Sequence, residues 1–224
     1  MCAYLNSQSD EIKDMEAYFR EVGQKSLQYG LRLPLTPSMK TYRRIDFNMG
    51  DEDFAITVVG NRLDTEVNNE FKQLLREIMQ IDSRIYIVFI GKFESYPSFR
   101  NEDELFATRT RFLGYQEDLI GILGIMDLFL NPPRQGGGAG AVYSLYNGVP
   151  VVTLNYCDVA NSLEPEDTCD SIQEMFDLIQ KYFYDQEFYQ KQSMKALEIR
   201  KKRGLDVFFD NTKAMLEEAV KLLE

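Results

Sequence analysis

The residues best equipped for chemistry in this chain are Arg134 and the run Gly136, Gly137 and Gly138, with Arg62 far upstream. Arginine offers a rigid fork of donors that matches a phosphate oxygen pair. Three consecutive glycines remove the side chains that would keep an anion away from the backbone, and Ala139 then opens a short helix. The free N–H groups of a helix start carry roughly half a positive charge. Taken together these residues describe an anion cradle, and a phosphate is the natural occupant. A glycine run alone is only a flexible loop; its place between two apolar strands and at a helix start is what favours the cradle.

Those elements can be read from residues 128–154. Leu128 to Leu130 closes an apolar run that begins at Asp127, and Asn131-Pro132-Pro133 stops it, because proline donates no ladder hydrogen bond. The next helix can pack Ala139, Ala141, Val142, Leu145 and Tyr146 on a sheet, and Asn147-Gly148 ends it. Val149 to Leu154 is a second buried-type strand.

Earlier in the chain the same alternation recurs. Phe54 to Val59 is a β-branched strand leading into Gly60-Asn61-Arg62; a helix is expected from Thr65 to Gln80, capped by Asp64 or Thr65. Arg84 to Ile90 is the next strand, residues 96–104 a loop or short helix, Thr108 to Phe112 a third strand ending at Gly114-Tyr115, and Asp118 to Met126 a helix. Asn155 to Thr168 reads as a polar loop, and Ser171 to Tyr184, Gln186 to Lys202 and Asp210 to Glu224 as helices. The fold class expected is therefore α/β: a Rossmann-like parallel sheet of about five or six strands, helices on both faces, and further C-terminal helices. If the strand order is 3-2-1-4-5, Arg62 faces the Gly136 to Gly138 loop across the carboxyl edge of the sheet, where ligands of open α/β sheets bind. Upstream, Ser9 to Tyr29 has helical spacing and Leu31 to Asp53 reads as a connector, which divides the chain into residues 1–53 and a nucleotide-binding domain over 54–224.

Composition excludes several classes. With no histidine among 224 residues, imidazole serves neither as metal ligand nor as catalytic base. Cys2, Cys157 and Cys169 are too scattered for a zinc site or a disulfide framework. A net charge of −11 argues against a nucleic-acid surface. The basic run Arg200 to Arg203 reads as a solvated helix face, Asp51-Glu52-Asp53 as a solvated turn rather than a metal site, and Phe208 and Phe209 as side chains packed on the body. No apolar run reaches membrane-spanning length and no basic leader precedes an apolar stretch, so a cytoplasmic protein with no transmembrane segment is expected.

Val58 to Leu63, the strand ending at Gly91, Phe112 to Tyr115, and Asp127 to Leu154 with its glycine loop and Gly148-Val149-Pro150-Val151-Val152 resemble the C-terminal, nucleotide-sugar-binding domain of GT-B fold glycosyltransferases. The resemblance spans roughly residues 54–224 and rests on the order of the motifs. It implies a donor diphosphate on Gln135 to Ala139, paired with Arg62 beside Asn61, and a base resting near Gly114 and Tyr115; Arg134, read from the residues alone, would add its fork of donors beside the loop. It implies transfer without a metal or other cofactor, the nucleotide sugar being a substrate. Gln135 and Tyr143 stand where many retaining members carry glutamates, the second of which usually holds the ribose. The amide-rich loop is closer to the inverting branch that contains the O-linked GlcNAc transferase, which implies a UDP-sugar. A second phosphate-binding lysine of the family is replaced by the stretch Glu66, Val67 and Asn68. The catalytic base and acceptor site of such enzymes lie in an N-terminal domain for which the residues before Phe54 are too few. The expectation is a donor-binding half with no catalytic residue of its own, inactive in isolation, with an exposed face open to self-association. Two alternatives stay open: a sugar-nucleotide epimerase-like enzyme, with Asp158, Glu164 and Glu166 as candidate acid and base, and a non-catalytic interaction module of the same fold.

Overall fold

The computed structural model describes residues 35–202 and 205–223. The helix expected at Ser9 to Tyr29 lies outside these residues. Residues 37–199 form one compact unit, so the connector from Pro37 onward belongs to the body of the sheet, and the residues from Arg200 belong to a second unit.

Five strands build the sheet of the first unit: β1 (Phe54–Gly60), β2 (Ile85–Gly91), β3 (Thr110–Phe112), β4 (Leu128–Leu130) and β5 (Val151–Val152). They lie in the order β3-β2-β1-β4-β5, all neighbours parallel, which is the order that sets Arg62 against the glycine loop. Alternate side chains along each strand enter different cores. Ile56, Val58, Ile87, Phe89, Leu128, Leu130 and Val152 fill one face. Ala55, Val88, Ile90, Phe129 and Val151 fill the other. Both faces are covered, as the near-continuous apolar runs require.

Between β1 and β2 the chain makes a short helical turn, α1 (Leu63–Glu66), and then α2 (Asn69–Ile81). The expected single helix from Thr65 is broken because Asn68 caps α2, its side chain accepting from the Phe71 N–H at 2.9 Å. Asp64 instead accepts from the Glu94 and Ser95 N–H groups at 3.0 and 2.7 Å. Phe71, Leu74, Leu75 and Ile78 of α2 pack on the first face. After β2 come α3 (Tyr96–Arg100) and α4 (Glu104–Arg109). Strand β3 therefore starts two residues later than the β-branched residues suggested: Asp103 caps α4 through the Leu105 N–H at 2.8 Å, and buried Phe106 draws Thr108 and Arg109 into the helix. The next helix, α5, is confined to Leu119–Leu123, with Asp118 as its cap.

The element that matters most, α6 (Gly138–Tyr146), joins β4 to β5. Beyond β5 the polar segment contains two tight 3-10 turns, Asp158–Ser162 and Pro165–Asp167, before α7 (Ile172–Tyr184) and α8 (Gln186–Leu197). At the amino edge of the sheet Arg44 clasps the connector to β4: it donates to the Ile125 carbonyl at 2.9 Å, the Asp53 carbonyl at 2.6 Å and Asp127 Oδ1 at 2.7 Å. Burial raises the Asp127 carboxyl above its ordinary range despite that partner.

The remaining helices are α9 (Ile199–Lys202) and α10 (Leu205–Leu223). Helix α10 thus begins at Leu205, well before the Asp210 expected. Phe208 and Phe209 meet edge to face at 5.7 Å, and Phe209 is 64% exposed rather than packed away. Among the described residues no helix is long and apolar enough to cross a membrane.

Candidate functional site

The register pairs Ile56 with Leu128 and Thr57 with Phe129, so the loop after β1 and the loop after β4 leave the carboxyl edge side by side. Strand order reverses at this point, with β2 on one side of β1 and β4 on the other. Such a reversal opens a crevice above the strand ends. Asn61 and Arg62 stand on one side of it and Gln135 to Ala139 on the other.

Arg134 does not point into that crevice. Its side chain is 5% exposed and lies beneath the loop, where its guanidinium donates to Glu66 Oε2, to the Val59 carbonyl, and to Asn131 Oδ1 at 2.9 Å. A side chain on Gly60 or on Gly137 would strike it: a Cβ on Gly60 would run into Nη1, and one on Gly137 would fall 2.5 Å from Nη2. The glycine loop is folded directly over a fixed positive charge. Asn131 is held in turn by its Nδ2–H donating to Thr153 Oγ1 at 3.1 Å. On the other side Glu66, 8% exposed, accepts from Arg62 Nε through Oε1 at 3.1 Å. A continuous relay therefore runs under the crevice from Thr153 through Asn131, Arg134 and Glu66 to Arg62.

Arg62 is the arginine that faces outward. Its side chain is 65% exposed, and its Nη2 donates to the Gln135 carbonyl at 2.8 Å. The contact fixes the guanidinium against the rim of the loop.

The loop itself turns on Gly136 and Gly137, both at positive φ (102° and 88°). Gly137 occupies the N-cap position of α6, where no side chain caps the helix. That leaves the first-turn N–H groups, from Gly138 and Ala139 onward, for water or a ligand. The helix can approach the sheet closely because Gly140 sits on Phe129, where a Cβ would come within 3.1 Å of the ring. The loop is tied at its start to the segment after β5: Gln135 Nε2 donates to the Tyr156 carbonyl at 3.1 Å, and the Gly136 N–H donates to Asp158 Oδ2 at 2.7 Å.

Of the other residues singled out from sequence, Ala139 is exposed at the start of α6. Gly114, at φ 66°, has open space where a side chain would stand, and Tyr115 is 77% exposed. Tyr115, Asn61, Lys92, Phe93 and Phe112 line a groove of about 460 Å³ above the ends of β1 to β3. Tyr143 lies elsewhere, half-buried against the core on the α6 side of the sheet. Glu166 stands 3.7 Å from Lys195, whose ammonium also pairs with Asp167 at 2.5 Å, and Glu164 is exposed. Among the described residues no three Cys, Asp or Glu side chains converge on a point where a metal ion would fit.

Sequence reasoning missed Glu66, Asn131, Thr153 and the contact of Asp158. The spacing of Arg62 and Glu66 is the i,i+4 spacing of a helical ion pair and could have flagged the first. Nothing local flags Asp158, which meets Gly136 only through the fold.

No family model matches the sequence, and no curated protein matches it. The fold has many solved counterparts. An O-GlcNAc transferase from Thermobaculum terrenum superposes with a TM-score of 0.61 at 19% identity, over 77% of this chain and 36% of that one. Anabaena HepE, solved with UDP and glucose, gives 0.59 at 16% identity over 75% of this chain and 48% of that one. TarM from S. aureus, solved with UDP, gives 0.61 at 12% identity over 95% of this chain and 48% of that one. The chain thus spans between about a third and a half of the length of these glycosyltransferases. At this level of identity the likeness is one of fold: the chain has the Rossmann-like architecture of a GT-B glycosyltransferase domain.

Proposed function

We propose that this chain binds the donor of a glycosyltransferase, a nucleotide-diphosphate sugar of which UDP-sugars are the preferred class, and that transfer takes place on an acceptor held by a further, N-terminal domain. The observation that carries the reading is the pairing of an uncapped helix start, Gly138 and Ala139 of α6, with the outward guanidinium of Arg62 across the strand-order reversal. Diphosphate oxygens would accept from the amides of Gly137, Gly138 and Ala139 and from Arg62. Arg134, buried below and paired with Glu66, braces the loop without touching the ligand. The groove beside Gly114 and Tyr115 has the aromatic walls and the size for the base.

In this reading the leaving diphosphate is stabilised by preorganised amides, the helix start and arginine, so no metal ion is needed. The uridine preference is supported by the UDP complexes of HepE and TarM. This chain supplies donor binding; the acceptor's base comes from the other domain.

The test is a melting-temperature series with UDP, GDP, ADP and their sugar conjugates. A ligand at a hundred times its dissociation constant stabilises by about 2.7 kcal/mol, which is readily resolved. UDP and a UDP-sugar should raise the midpoint most, with or without chelator. Failure of every nucleotide at millimolar concentration would overturn the reading and favour an interaction module.

A further inference from the structure

We propose, resting on the donor-site reading above, that Asp158 selects the group attached beyond the diphosphate: a neutral, hydroxylated group is accepted at Gly136, and a third phosphate or a carboxylate is refused. The crevice would otherwise favour any additional anion, since Arg62 and the start of α6 are positive and the loop has no side chains. Asp158 reverses that preference at one end of it. Its Oδ2 accepts from the Gly136 N–H at 2.7 Å, so the first loop amide already has an anionic partner and is not free for a phosphate.

The carboxylate is exposed but firmly placed. Cys157 and Val159, on either side of it, are buried in the core at 2% and 0% exposure. The turn it opens is closed by the Ala160 N–H donating to the Cys157 carbonyl at 2.9 Å, and the preceding Tyr156 carbonyl is held by Gln135 at 3.1 Å. Farther along, Lys195 fixes Asp167 at 2.5 Å. Among the described residues no Lys or Arg forms an ion pair with Asp158, and Arg62, whose Nη2 would lie 3.6 Å from a Cβ on Gly136, is engaged instead by Glu66 and the Gln135 carbonyl, so the second carboxylate oxygen of Asp158 is left to face an incoming group. A group arriving beside Gly136 therefore meets a fixed, negative acceptor. A sugar hydroxyl can donate to it. An anionic group cannot, and is repelled at contact distance.

The experiment is isothermal titration of the full chain and of Asp158→Asn with UDP, UDP-glucose and UTP, with circular dichroism confirming that the variant is folded and Asp158→Ala as a second variant. The wild-type chain should bind UDP and UDP-glucose at least about fivefold more tightly than UTP, the cost expected of one like charge a few ångströms away near the surface. Asp158→Asn, which keeps the shape and loses the charge, should bring the UTP affinity to within about twofold of that for UDP. Equal affinity for UDP and UTP in the wild-type chain, or an unchanged ratio in both variants, would overturn the role of Asp158 while leaving the cradle standing. Absence of binding by any uridine nucleotide to either protein would remove the donor site, and this inference with it.

Discussion

Replacing Arg134 and Arg62 one at a time separates a brace from a ligand. Arg134 is buried against Glu66, and removing one member of a buried ion pair costs about 3–5 kcal/mol because the other charge is left uncompensated. Here Glu66 keeps Arg62 on its second oxygen, which places Arg134→Ala near the lower end, about 3 kcal/mol. For a domain of this size each kcal/mol moves the melting midpoint by roughly 2–4 °C, so a fall of about 6–12 °C is expected. Arg62→Ala removes a largely exposed side chain and should cost at most about 1 kcal/mol, while weakening diphosphate binding. Replacing the buried pair together by apolar residues, Arg134→Met with Glu66→Leu, should restore only part of the loss, since Asn131 Oδ1 and the Val59 carbonyl still lose their donor. Urea unfolding followed by far-ultraviolet circular dichroism measures all three. The reasoning is refuted if Arg134→Ala unfolds at the wild-type urea concentration, or if Arg62→Ala proves the more destabilising of the two.

Three further predictions concern other parts of the chain. Gly137→Ala forces a side chain into left-handed backbone and against the Arg134 guanidinium; it should cost at least about 1–2 kcal/mol by urea unfolding, and a neutral outcome would mean the loop is not packed on that charge. The Asp82 carboxyl, hydrogen-bonded by Arg84, is pulled down to about 2. Its folded value lies below its unfolded value, so its contribution is complete above about pH 4 and fades as pH falls towards 2; a carboxyl NMR titration with a midpoint near 4 would contradict this. Burial pushes the Cys169 thiol up to about 11, and both it and Cys157 are enclosed, so neither should be alkylated by iodoacetamide at pH 8 until the protein is unfolded; mass spectrometry of labelled peptides decides.

Much of this fold can be read in the residues because both sheet faces are buried. Ile85 to Ile90 is a continuous apolar run and Phe54 to Val59 is broken only by Thr57, and that pattern belongs to parallel strands covered on both sides. The alternation with amphipathic helices then leaves few topologies, and the order that pairs β1 with β4 brings Arg62 to the glycine loop. Boundaries are harder to read where two local signals compete, as at Thr108 and Arg109, whose strand propensity yields to the Asp103 cap and the buried ring of Phe106. The direction of Arg134 is not legible at all. An arginine four residues past a strand end can rise into the crevice or turn beneath it, and the outcome depends on Glu66, Asn131 and the Val59 carbonyl, which only the folded chain brings together. The same holds for Asp158, distant in sequence from the amide it meets.

The most direct test of the cradle is an amide NMR titration of the ¹⁵N-labelled chain with UDP. The amides of Gly137, Gly138 and Ala139, together with the Arg62 Nε–H, should show the largest shifts, and Arg62→Ala should weaken the titration about tenfold, the equivalent of about 1.4 kcal/mol. Shifts confined to other surfaces, or an undiminished titration in Arg62→Ala, would contradict a donor site at this edge of the sheet.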